Sequence, residues 1–68
     1  MIIVNGDERD DVAAGMSVER LLDVLKLAQR DRGVAVAVGA EVVPRADWAT
    51  TTLAEGDVVE VLVAVQGG

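Results

Sequence analysis

The sequence predicts one α+β domain, a mixed four- to five-stranded sheet with one helix packed on one face. Three observations lead there. Val18, Leu21, Leu22 and Leu25 have the i, i+3, i+4, i+7 spacing of one amphipathic helix. Segments rich in Val and Ile lie on both sides of it, separated by glycine-containing turns. The longest apolar run, Val58 to Val65, comes last, as suits a strand with a neighbour on each side.

Met1 to Asn5 is apolar and β-branched, and Asn5-Gly6 accepts the positive φ angles of a type I′ hairpin turn. A return strand follows, about Glu8 to Ala13. Its Asp10 and Asp11 suit an edge that resists pairing with other chains. Ser17 precedes the helix and can accept a hydrogen bond from a free N–H of the first turn. Glu19 suits the positive end of the helix dipole and Lys26 the negative end, with Gly33 as the stop signal. Val34 to Val38 alternates Val with Ala, so one side of this strand is bulky and the other small. Gly39-Ala40 turns the chain into a short strand, Glu41 to Val43, cut by Pro44. Arg45 to Leu53 then crosses the domain irregularly, and Glu55-Gly56-Asp57 makes the last turn. This order describes a β-grasp, in which the last strand lies parallel to the first, between it and the third.

Composition narrows the chemistry. The 68 residues leave room for one domain, 1–68, whose core must be aliphatic, because Phe and Tyr are absent and Trp48 is the only aromatic. Bases therefore find no stacking platform. The formal net charge of -6 repels phosphate backbones, so no nucleic-acid partner is expected, while a basic protein surface would be attracted. The absence of Cys and His removes thiol nucleophiles, the usual zinc sites and the imidazole base. No apolar run approaches the roughly 20 residues that span a bilayer. The expectation is a cytoplasmic chain, monomeric when alone, with no membrane partner and no bound cofactor.

Side-chain candidates for catalysis are weak. Thr50, Thr51 and Thr52 offer hydroxyls without a base to activate them. Asp10 with Asp11, or Glu55 with Asp57, are turn or edge carboxylates that water solvates. Trp48 reads as a core residue before a partner anchor. The ending Gln66-Gly67-Gly68 differs in kind: it directly follows the last strand, its glycines can enter a channel too narrow for a side chain, and a terminal Gly68 presents an unhindered carboxylate. Val65 to Gly68 is expected to form a flexible tail, with Gly67 and Gly68 disordered in isolation.

The chain resembles the sulfur carrier proteins of thiamin biosynthesis, the ThiS type within the ubiquitin-like β-grasp proteins. The likeness rests on Asn5-Gly6, Ser17-Val18 with Leu21-Leu22, Val42-Val43-Pro44-Arg45 with Trp48, Glu55-Gly56-Asp57 and Gln66-Gly67-Gly68, which together span the chain. The resemblance implies that a ubiquitin-activating-type adenylyltransferase uses ATP to adenylate the Gly68 carboxylate. Sulfur from a cysteine-derived persulfide would then give a thiocarboxylate, which donates sulfur to thiazole synthase. Val65, Gln66 and Gly67 would enter the partner's active site, and the carrier itself would catalyse nothing. The acidic second strand and the Arg30-Asp31-Arg32 link depart from the family pattern without touching the tail. Alternatives are the small subunit of molybdopterin synthase, a carrier feeding cysteine or tRNA thiolation, a ubiquitin-like modifier of lysines, and a passive interaction domain.

Ordering Val65 to Gly68 inside a partner costs on the order of 4 to 8 kcal/mol of backbone entropy, so an anchoring surface is needed elsewhere. If Val59, Val61 and Val63 point to the helix, then Glu60, Leu62 and Ala64 point outward, with Ala35 and Ala37 beside them. Leu62 and Ala64 are the expected partner-binding residues.

Overall fold

The computed structural model describes residues 1–27 and 33–64. Its elements are β1 (Ile2–Val4), β2 (Asp7–Arg9), α1 (Val18–Val24), β3 (Val34–Val38), β4 (Glu41–Val43), a 3₁₀ turn (Arg45–Asp47) and β5 (Val58–Val63). They form one five-stranded sheet in the order β2-β1-β5-β3-β4. β5 runs parallel to β1 and antiparallel to β3, as the sequence predicts.

Both hairpin turns are set by two residues with positive φ. Asn5 and Gly6 sit at 52° and 84°, so Val4 pairs with Asp7 at once. Gly39 and Ala40 sit at 58° and 70° and bring Val38 opposite Glu41. The tight first turn also corrects the expected second strand. With β1 starting at Ile2, its partner ends at Arg9, and the span Glu8 to Ala13 is replaced by Asp7–Arg9. Beyond it the chain bends at Asp10 and Asp11, and Val12 drops into the core.

Helix α1 begins as expected: the Ser17 hydroxyl accepts a hydrogen bond from the Arg20 N–H at 3.0 Å. Its stop differs. The Leu27 N–H reaches back to the Leu22 carbonyl at 2.7 Å and the Lys26 N–H to the Asp23 carbonyl at 3.0 Å, with Lys26 at φ 63°. This pair of bonds closes the helix in a Schellman motif, with lysine where glycine is usual. Gly33 therefore lies well past the helix end, and the Arg30-Asp31-Arg32 link lies outside the described residues.

The core sits between α1 and one face of the sheet. Val18, Leu21 and Leu22 of the helix meet Ile2 and Val4 of β1, Val36 of β3, and Val59 and Val61 of β5. Val12, Trp48 and Leu53 close its rim. Each such aliphatic side chain, fully buried, contributes about 1.5–3 kcal/mol. The stretch expected to be irregular contains the 3₁₀ turn, which carries Trp48 inward to 8% exposure. The Trp48 indole N–H donates to the Val43 carbonyl at 2.9 Å, and the Arg45 guanidinium lies 4.5 Å from the ring centroid. The core reading of Trp48 holds.

Candidate functional site

The end of β5 and the sheet face opposite the helix are the places where the sequence expects function. Alternation along β5 follows the expected phase: Val59 and Val61 are buried, Glu60 and Leu62 exposed. Cross-strand pairs share a face, so the register assembles the outer surface directly. Leu62 lies opposite Ala35, Glu60 opposite Ala37, and Ala37 opposite Val42. Nearer the first hairpin, Val58 pairs with Ile3, and Ile3 with Glu8.

The result is an open apolar surface. Leu62 is 65% exposed and Val42 71%, and between them Ala35 and Ala37 leave a shallow hollow bordered by Glu60. Small side chains on β3 create this depression because neighbouring strands carry larger ones on the same face. The carboxylates of Glu8 and Glu60 give the surface negative charge, suited to a partner with apolar and cationic groups. Val42, Val58 and Ile3 belong to this face but were not singled out by sequence. Their period-2 positions in β1, β4 and β5 carried the signal.

Beyond Val63 the strand ends. Ala64 is exposed, and its N–H donates to the Gly33 carbonyl at 2.6 Å. Val65, Gln66, Gly67 and Gly68 lie outside the described residues, as does the expectation of a flexible tail.

Four of the remaining candidates, Asp57, Glu55, Asp11 and Thr50, have structural roles. The Asp57 carboxylate accepts from the Ala54 N–H at 2.7 Å and closes the last turn, while Glu55 pairs with the amino group of Met1. Asp11 receives both Nε and Nη2 of Arg9, at 2.8 and 2.7 Å. These bonds hold its carboxyl below the ordinary carboxylate range and raise the Arg9 guanidinium. The Thr50 hydroxyl donates to the Asp47 carbonyl at 3.3 Å. Among the described residues, no group of three or more acidic side chains could hold a metal ion, and no helix is long and apolar enough to cross a membrane.

Comparison with known proteins agrees along the whole chain. The ThiS family matches residues 2–68. The sulfur carrier protein ThiS of Escherichia coli (strain K12) is 35% identical over 68 residues, covering 100% of each chain. A thiazole synthase of Paramagnetospirillum magneticum is 36% identical over 67 residues, which are 98% of this chain and 20% of that one. The crystal structure of the thiamine biosynthesis protein ThiS from Geobacter metallireducens is 38% identical, with a TM-score of 0.77 over 98% of this chain and 97% of that one. The solution structure of a thiamine biosynthesis protein from the same organism gives 0.79 over 98% of this chain and 86% of that one.

Proposed function

The chain belongs to the ThiS family and is a sulfur carrier of thiamin biosynthesis, and we propose that it carries the sulfur on the carboxyl group of Gly68. The observation that supports this reading best is the family match over residues 2–68, which takes in Gln66-Gly67-Gly68.

A carboxylate is a poor electrophile. In the proposed sequence one Gly68 carboxylate oxygen attacks the α-phosphorus of ATP and pyrophosphate leaves, all within a ubiquitin-activating-type adenylyltransferase. The terminal sulfur of a cysteine-derived persulfide then attacks the acyl carbon and expels AMP. A thiol cleaves the resulting S–S bond, leaving a thiocarboxylate on Gly68 and the donor sulfur oxidised to a disulfide. Every catalytic group belongs to the partners; this chain supplies the acyl group and a surface. Its lack of cysteine suits that role, because no thiol of its own can capture the activated acyl group.

The face carrying Leu62 and Ala64 gives the adenylyltransferase something to hold while Val65, Gln66 and Gly67 are threaded toward its active site. Holding that face offsets the entropy lost in ordering the tail. The segment like this chain within a thiazole synthase supports a thiazole synthase as sulfur acceptor. ATP serves the activating enzyme and is not a cofactor of this chain. A monomer in the cytoplasm completes the reading.

The test is the intact mass of the chain after incubation with ATP, a matched adenylyltransferase and a persulfide source. A gain equal to exchanging one oxygen for sulfur, localised to Gly68 and lost when Gly68 is deleted, is the expected result. No gain with an enzyme that loads another carrier of the family would refute the Gly68 assignment.

A further inference from the structure

Among the described residues, the last backbone hydrogen bond on β5 before the tail runs from the Ala64 N–H to the Gly33 carbonyl, at 2.6 Å. Val34 and Val63 are the final ladder pair, so Gly33 stands opposite Ala64, one step past the end of the sheet. Gly33 has φ +83°. A Cβ added there would lie 3.6 Å from both the Cβ and the carbonyl oxygen of Ala64, an ordinary contact. Space is therefore not what reserves this position for glycine; backbone conformation is.

We propose that Gly33 is a positioning residue for sulfur loading: its left-handed backbone aims a carbonyl at the Ala64 amide and fixes the point from which residues 65–68 reach into the activating enzyme. This rests on the reading of Gly68 as the sulfur-bearing residue. The clamp acts as the zero mark of a ruler. Four residues, fully extended, span at most about 14 Å, so the enzyme must bring its adenylation centre within that distance of Ala64 while holding the open sheet face. Releasing the Ala64 amide moves the zero mark back toward Val63, so the carboxylate is presented from a less defined point. Binding through the sheet face is untouched, because Leu62, Val42 and Glu60 keep their places. The loss falls on turnover, since misplacing a reacting group costs rate even where binding is intact.

Three substitutions grade the effect. Gly33→Asn tolerates positive φ, Gly33→Ala does so poorly, and Gly33→Val, being β-branched, is the most strained. Adenylation is followed by ATP–pyrophosphate exchange with an adenylyltransferase shown to load the wild-type chain, and amide hydrogen exchange is read by NMR. For Gly33→Val, the Ala64 amide is expected to exchange at least about tenfold faster while Val59 and Val61 stay protected. In the same variant kcat is expected to fall about threefold to tenfold, with KM within about twofold of wild type. Gly33→Asn should restore both readouts, which a general loss of stability would not do. If Gly33→Val fails to fold, Gly33→Ala against Gly33→Asn carries the same comparison. An unchanged kcat with a faster Ala64 amide would overturn the proposal, as would equal losses in the Asn variant. If the wild type is never adenylated by enzymes that load other family members, the carrier reading fails and this proposal with it; loading of wild type with no difference among the variants sinks the Gly33 role alone.

Discussion

The side-chain amide of Asn5 exchanges two hydrogen bonds with the backbone of Val61: its Nδ2 donates to the Val61 carbonyl at 3.1 Å and its Oδ1 accepts from the Val61 N–H at 2.8 Å. The amide thus extends the β1–β5 ladder by one step after β1 itself has turned away. The Asn5 backbone continues the same pattern, its N–H donating to the Val59 carbonyl at 2.9 Å. Asn5→Asp keeps the acceptor and loses the donor, setting a carboxylate against a partly buried carbonyl. Chemical denaturation at neutral pH should show a loss of about 1–3 kcal/mol. A change within error would mean that water replaces the amide freely.

Lys26 and Ala40 are non-glycine residues with positive φ, at 63° and 70°. The left-handed region costs such residues roughly 1–2 kcal/mol, partly offset by the extra chain entropy glycine carries in the unfolded state. Lys26→Gly and Ala40→Gly should each stabilise by about 0.5–1 kcal/mol, read as a rise in Tm of a few degrees. The two sites lie in separate turns, so the double variant should show nearly the sum.

Asp11 and Arg9 give a pH prediction with a definite sign. The Arg9 hydrogen bonds depress the folded-state pKa of Asp11, and the guanidinium charge acts in the same direction. A depressed acid contributes stability that is present above its unfolded pKa and is lost as pH falls through the lower folded value. NMR titration should place the Asp11 carboxyl midpoint below the ordinary carboxylate range, and Arg9→Gln should bring it back up. A midpoint that ignores Arg9→Gln would show that the pair does not persist in solution.

Leu62→Arg tests the open face. Leu62 is exposed and packs no core, so the fold and Tm should be preserved. Loading by the adenylyltransferase should drop at least about tenfold in kcat/KM, through KM, if Leu62 is a central contact. Unaltered loading would remove the face from the recognition surface. This KM effect is the opposite signature to that expected at Gly33.

Much of this arrangement was legible in the residues. Val34–Val38 and Glu41–Val43 match the strands read from alternation and from Pro44, because neighbouring turn dipeptides fixed both ends. The outer face was legible only as one of two phases of β5, and the burial of Val59 and Val61 settles the phase that turns Glu60 and Leu62 outward. Other features depended on distant partners. The second strand was read too long, because its length is set by where β1 begins and not by its own residues. The helix stop was misplaced, because a lysine in the left-handed region has no sequence signature and Gly33 offered a stronger one. Asn5 was legible as a turn residue, but its hold on Val61 requires knowing which strand lies beside β1. Gly33 was read as punctuation, and only the pairing of β3 with β5 shows that its carbonyl meets Ala64.

The position of β5 between β1 and β3 has a consequence for synthesis. A ribosome makes the central strand after the other four, so β1 waits for a neighbour encoded far downstream of it, Ile3 for Val58. Until β5 emerges, Ile2, Val4 and Val36 have no Val59 or Val61 to pack against, and the open face does not exist as a surface. A chain that stops short of β5 therefore keeps two separate hairpins whose apolar edges stay unpaired, the kind of transiently exposed surface that invites aggregation. The strand order makes the joining of the two hairpins, the closing of the core and the appearance of the open face a single event.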